Sequence, residues 1–213
     1  MPADPLLLPL AQAAAACYAP GVVYSWETPR KLVHVLASQV NGVLTFALAG
    51  TLSFSEWLID FLVAQEPDFE HDQLGWVHAG FLQDAQAAVD AYIAPTLAAA
   101  GWPPFYLAAH SKGSGEAVLA HGILKAMGHP PAATYAYEAP RCGGATLTAY
   151  LADQDVVWTQ TFNAEGDDIV TKVPFGPTWE HCGAPVRLRV PVDLDLAQKH
   201  RTPAVLAAIG GLG

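Results

Sequence analysis

A β-prone run, Phe105 to Ala109, passes without a loop into a helix-forming run, Gly113 to Met127, through Ala109-His110-Ser111-Lys112-Gly113. This junction constrains the fold more tightly than anything else in the chain. A strand that turns straight into a helix needs small residues two before and two after the central residue, because larger side chains would collide with neighbouring backbone. The central serine is then held in a strained conformation with its hydroxyl presented. The junction is G-x-S-x-G with alanine in the first place. The helix that follows directs its N-terminal amides at charge developing beside the serine. An ordinary N-capping serine is the bland alternative; a strand immediately before and a long amphipathic helix immediately after favour Ser111 as a nucleophile.

The rest of the chain supplies a frame for that junction. Ala11 to Ala19 reads as an alanine-rich helix ending before Pro20-Gly21. Lys31 to Val40 and Val43 to Ala49 are β-prone runs separated by Asn41-Gly42, a dipeptide that tolerates the positive φ of a two-residue hairpin turn. Ser55 to Gln65 and Phe81 to Ala100 read as helices; the second carries one apolar stripe of Leu82, Val89, Ile93 and Leu97, with Pro95 as a potential kink. Beyond the serine junction come Ala133 to Glu138 (strand), Thr146 to Ala152 (helix), Val156 to Asn163 (strand), a long loop, Val186 to Val190 (strand) and a helix over Pro203 to Ile209. Strands alternating with helices after a hairpin imply an α/β fold: a mostly parallel central sheet with helices on both faces and an antiparallel hairpin near the N-terminal edge. No repeat or linker divides residues 1–213, so one domain is expected. In such sheets the functional residues gather at the carboxyl ends of the strands.

Composition excludes several functions. Apolar residues make up 52% and charged residues 14%, which is incompatible with disorder. The net charge of −10, with no Lys/Arg-rich run, argues against nucleic-acid binding and against generic attraction to anionic membranes. Cys17, Cys142 and Cys182 are odd in number and lack metal-site spacing, so neither a disulfide scaffold nor a zinc module is expected. Met1 to Leu10 has no basic n-region and no apolar run reaches about 18 residues. We therefore expect a cytoplasmic protein, with a processed secreted form as the alternative.

Several ordered segments resemble the class 3 (fungal-type) lipases of the α/β-hydrolase superfamily. They are Ala47-Leu48-Ala49-Gly50-Thr51-Leu52-Ser53 followed by Glu56-Trp57-Leu58-Ile59-Asp60, then Val77-His78-Ala79-Gly80-Phe81, the serine junction, Ala139-Pro140-Arg141-Cys142-Gly143, and Asn163 with Gly166-Asp167-Asp168-Ile169-Val170 and Val173-Pro174. The resemblance implies an α/β-hydrolase fold and a serine carboxylic-ester hydrolase working through a Ser-His-Asp triad and an acyl-enzyme. It implies an oxyanion hole made by the amides of Thr51 and Lys112. It also implies a lid at about 53–73, which in larger members opens at lipid surfaces and would bring transient lipid contact. No metal or organic cofactor is implied. A phospholipase or thioesterase with the same triad is the alternative within enzymes; a catalytically silent binding protein is the alternative outside them.

The acid and base are expected after the serine, in the order Ser, Asp, His. Asp167 and Asp168 both follow the strand Val156 to Asn163, and the match to the family's acid loop selects Asp168. Of eight histidines, only His181 and His200 follow the acid. His200 lies on the loop after the last core strand and is favoured as the base. Its short separation from Asp168 implies a trimmed C-terminal region compared with fungal members. His181, His78 and His110 match family positions near the site and suit supporting roles. One departure is chemically marked: the family's G-H-S-L-G-G has Lys112 in place of leucine here. That lysine either pairs with Glu116 four residues on or faces the acyl pocket.

Overall fold

The computed structural model describes residues 4–28, 33–50 and 68–212. Thr51, the expected helix Ser55–Gln65 and most of the expected lid lie outside them. The strands are β1 (Trp26–Glu27), β2 (His34–Val40), β3 (Val43–Leu48), β4 (Asp68–His71), β5 (Gly75–His78), β6 (Phe105–His110), β7 (Ala133–Tyr137), β8 (Val156–Asn163), β9 (Gly166–Asp167) and β10 (Ala184–Arg189). The helices are α1 (Leu7–Ala16), α2 (Ala79–Ala88), α3 (Ala94–Ala99), α4 (Lys112–Ala126), α5 (Ala145–Tyr150), α6 (Leu196–His200) and α7 (Thr202–Gly210).

The main sheet runs β1-β2-β3-β6-β7-β8-β10, with β9 added antiparallel to β8. From β3 to β10 every neighbouring pair is parallel, while β1, β2 and β3 pair antiparallel at one edge. The hairpin closes with Val40 opposite Val43, and both turn residues take positive φ, 51° at Asn41 and 79° at Gly42. Side chains alternate across the sheet, as strand geometry requires. Phe46, Leu48, Leu107, Ala109 and Ala136 face a core shared with residues of α2, α3, α4 and α5. Ala108, Tyr135, Tyr137 and Leu188 face a second core shared with α1 and α7. This is the α/β-hydrolase arrangement expected, helices on both faces included.

Four details differ from the sequence reading. First, α1 begins at Leu7 and ends at Ala16, earlier at both ends than expected. Its buried face is Leu7, Leu10, Ala11 and Ala14, and packing on the second core sets the helix where no side-chain cap marks its start. Second, the helix bearing Pro95 is not simply kinked. A π turn, Val89–Ile93, joins α2 to α3, and the Ala94 amide donates to the carbonyl of Val89 just before the proline. The wider turn absorbs the missing proline N–H. Third, residues 68–71, expected in the lid, form β4 and pair with β5 in a small separate sheet. Fourth, His200 ends a short helix rather than lying on a loop; Asp195 and Gln198 form a capping box that starts α6. Among the described residues no helix is long and apolar enough to cross a membrane.

Candidate active site

Ser111 sits between β6 and α4 with φ 60° and ψ −132°, a conformation that L-residues avoid. The strain is held from both sides. The Ser111 amide donates to the carbonyl of Tyr137 at 2.9 Å, tying the turn to β7. Gly113 lets the start of α4 lie on the end of β3, because a Cβ there would stand 2.5 Å from the carbonyl oxygen of Leu48. Gly50 permits an equally close approach: its Cβ would fall 2.7 Å from the carbonyl oxygen of His110 and 3.0 Å from Cβ of Ser111. The segment leading to Thr51 is therefore pressed against the serine turn. Lys112 is the first residue of α4, so its amide belongs to the turn whose N–H groups point out of the helix toward Ser111.

Asp168 and His200 come together across the ends of β8 and α6. His200 Nδ1 lies 2.5 Å from Asp168 Oδ2, and both side chains are buried. Asp168 Oδ1 accepts from the Val170 amide at 3.0 Å. Burial pushes the Asp168 carboxyl up to about 6, against hydrogen bonds from Glu138 and Val170 and the charge of Lys199. Burial holds the His200 imidazole neutral, down at about 4, with the charge of Glu138 working the other way. Asp167, next in sequence, points outward and pairs with Arg187 and Lys172. Such exposed pairs are worth about 0–1 kcal/mol, so Asp167 acts as a surface tie.

The supporting histidines separate clearly. His110 stands beside His200, ring centroids 4.8 Å apart, and its Nε2 lies 2.7 Å from the His200 carbonyl oxygen. A carbonyl only accepts, so Nε2 carries the proton and Nδ1 is left to accept from the Tyr18 hydroxyl at 3.2 Å. That hydroxyl in turn accepts from the Gly50 amide at 2.7 Å. Tyr18 thus links the start of the oxyanion segment to the residue before the nucleophile and, through it, to His200. His78 caps α2, its Nδ1 accepting from the Phe81 amide at 3.3 Å, and stacks on Phe81. His181 stacks on Trp158 with centroids 3.7 Å apart and donates from Nε2 to the Thr171 carbonyl. His200, and not His181, meets Asp168.

The Lys112 side chain pairs with Glu116, as its spacing allowed, and also with Asp84 of α2 at 2.5 Å. Burial works to lower its pKa, but the Glu116 and Asp84 carboxylates more than offset this and leave it raised. Glu116 is fully buried and pushed up to about 8, by burial first.

Sequence reasoning missed Tyr18, Asp84 and Glu138. Glu138 left one signal, a lone acid closing the apolar strand before Ala139-Pro140. Its carboxyl meets the site: ligating atoms of Glu138, Asp168 and His200 all lie within 4.8 Å of one another. Glu138 accepts from Thr159 and Thr161, and Asp168 accepts from Val170 and faces His200 Nδ1.

The sequence pattern of the family described as "Lipase (class 3)" matches residues 45–177. The chain belongs to the class 3 lipases. The match takes in Ser111 and Asp168 but ends before His200, whose place rests on the geometry above. As a class 3 lipase, the protein is a carboxylic-ester hydrolase. No curated protein matches its sequence. Solved structures do match in fold. Lip2 lipase from Yarrowia lipolytica superposes with a TM-score of 0.72 at 18% identity, covering 92% of this chain and 84% of that one. The MDLA N225Q mutant from Penicillium cyclopium gives 0.71 at 18%, covering 98% and 89%. The lipase from Rhizopus microsporus var. chinensis gives 0.65 at 20%, covering 96% and 84%. At these identities the likeness is one of fold.

Proposed function

We propose that this class 3 lipase acts as one domain and hydrolyses lipid esters through a Ser111–His200–Asp168 triad and an acyl-enzyme. The observation that carries this reading is a strained serine at a strand–helix junction, whose neighbour His110 packs against a buried histidine with Nδ1 held 2.5 Å from a buried carboxylate. In this mechanism Ser111 Oγ attacks the ester carbonyl while His200 Nε2 takes its proton. Asp168 fixes the ring with Nδ1 protonated and stabilises the imidazolium. The amides of Lys112 and Thr51 receive the oxyanion; Thr51 lies outside the described residues and enters by family resemblance. His200 returns its proton to the leaving alcohol, and water releases the acyl group by the same route.

The ion pairs of Lys112 with Asp84 and Glu116 favour the structural of its two sequence-based roles. Hydrolysis of p-nitrophenyl esters from acetate to palmitate, with Ser111→Ala in parallel, tests the reading. Serine-dependent turnover is expected, and its peak chain length separates esterase from lipase. A headgroup and thioester panel separates the phospholipase and thioesterase alternatives. Equal rates for Ser111→Ala and wild type would contradict the mechanism, and absence of serine-dependent turnover would favour the silent binding protein.

A further inference from the structure

Glu138 occupies a position that ordinary packing does not account for. It follows β7, is fully buried, and holds φ at 49°, a value a non-glycine residue rarely takes. The conformation is fixed by its own side chain. The Glu138 amide donates to Thr159 Oγ1 at 3.1 Å, and that hydroxyl donates back to Glu138 Oε1 at 2.9 Å. The Thr161 amide donates to Oε2 at 2.9 Å, and Thr161 Oγ1 lies 2.9 Å from Oε2 and 3.0 Å from the Lys199 carbonyl oxygen. The result is a carboxyl with an oxygen held within 4.8 Å of an Asp168 oxygen and a His200 ring nitrogen. Two carboxylates this close in a buried site do not both ionise, so the pair keeps one proton.

We infer that Glu138 is a positioning residue that keeps the proton of a shared carboxyl pair, donating it to Asp168 so that Asp168 stays ionised and oriented toward His200. This rests on the triad reading and deepens it. The assignment of the proton to Glu138 follows from the environments. Burial, then the Asp168 carboxyl, push Glu138 up to about 8, against the Thr161 amide and the charge of His200, which work the other way. Asp168 has the Val170 amide, Lys199 and the His200 ring to favour its ionised form. The titratable groups around the pair are His200 and Lys199 from α6 and His110 from β6, and the two histidines are held neutral by burial. During attack by Ser111 its proton passes to His200 Nε2, while the Glu138 proton remains on Glu138. Above neutral pH the Glu138 proton is lost, Asp168 loses a donor, and a second negative charge faces it.

The test compares Glu138→Gln and Glu138→Leu with wild type, reading the pH dependence of Ser111 labelling by a fluorophosphonate together with kcat and KM on p-nitrophenyl butyrate. Glutamine always donates and never titrates. Wild type should lose labelling rate with an apparent pKa near 8, and Glu138→Gln should move that alkaline limb up by at least one pH unit. Glu138→Leu should lower kcat about tenfold or more below Glu138→Gln, with little change in KM. If Glu138→Leu does not fold, the alkaline limb of Glu138→Gln decides alone. An alkaline limb identical in wild type and Glu138→Gln overturns the proposal while leaving the triad intact. Absence of labelling in wild type overturns the triad reading, and the proposal with it.

Discussion

Two buried glutamates, Glu116 in α4 and Glu138 after β7, solve the same electrostatic problem in different ways. Each lies near a second carboxyl, and burial pushes each up to about 8. On the side of α2 and α4, Glu116 and Asp84 are held by the Lys112 ammonium, which is partly exposed. On the side of β7 and β8, Glu138 and Asp168 have no cation in direct contact among the described residues, and the pair is balanced by a shared proton and by His200. The Lys112 side chain serves as an anchor, since its two carboxylate partners hold it as the protonated ammonium. The proton-sharing side lies in contact with the imidazole whose charge must change during catalysis. Neighbouring charges of the same type thus serve anchoring on one side and tuning on the other.

The largest expected effect that separates them is on stability. Lys112→Met leaves two carboxyls packed against an apolar chain and should cost about 3 kcal/mol in urea unfolding. Adding Glu116→Gln to it should return part of that loss. If Lys112→Met is as stable as wild type, the lysine is not the anchor described.

A smaller effect is expected where the two sides meet. Tyr18→Phe removes the hydroxyl between the Gly50 amide and His110 Nδ1, costing on the order of 1 kcal/mol, as for a single buried hydrogen bond. Because Gly50 leads into the oxyanion segment, kcat on p-nitrophenyl butyrate should fall several-fold more than KM changes. A change confined to KM would place Tyr18 in substrate binding instead.

His121 provides a third way of burying a titratable group, which is to stay neutral. Its ring bonds Thr134 and Gln154 away from the triad, and burial, first of several influences, lowers it to about 4. The unfolded chain takes up this proton near pH 6.5, the folded chain only near 4. Its contribution is therefore full above pH 6.5 and is lost as pH falls toward 4, by at most about 1.4 kcal/mol per pH unit. Thermal melts of His121→Gln should fall less steeply over that window than those of wild type; parallel curves would contradict the assignment.

Legibility from sequence followed the range of the cause. The Asn41-Gly42 turn, the limits of β8 and the serine junction are written in adjacent residues, so the hairpin, the fold class and the strand–helix turn at Ser111 could be read directly. Asp168 and His200 required the strand order of the fold and a family resemblance as well. The β4–β5 sheet carries no turn signal as strong as Asn41-Gly42. Tyr18 stands 92 positions from the histidine it bonds. Glu138 matters only because β7 and β8 lie side by side, and its positive φ is fixed by threonines of the neighbouring strand. Contacts made by tertiary packing alone leave no local pattern.

The most direct test of the account is the mass of the intact protein after exposure to a fluorophosphonate, for wild type and Ser111→Ala. The account predicts one phosphonyl group per wild-type chain, mapped to Ser111 and absent from the variant. An unlabelled wild type, or equal labelling of both proteins, would contradict it.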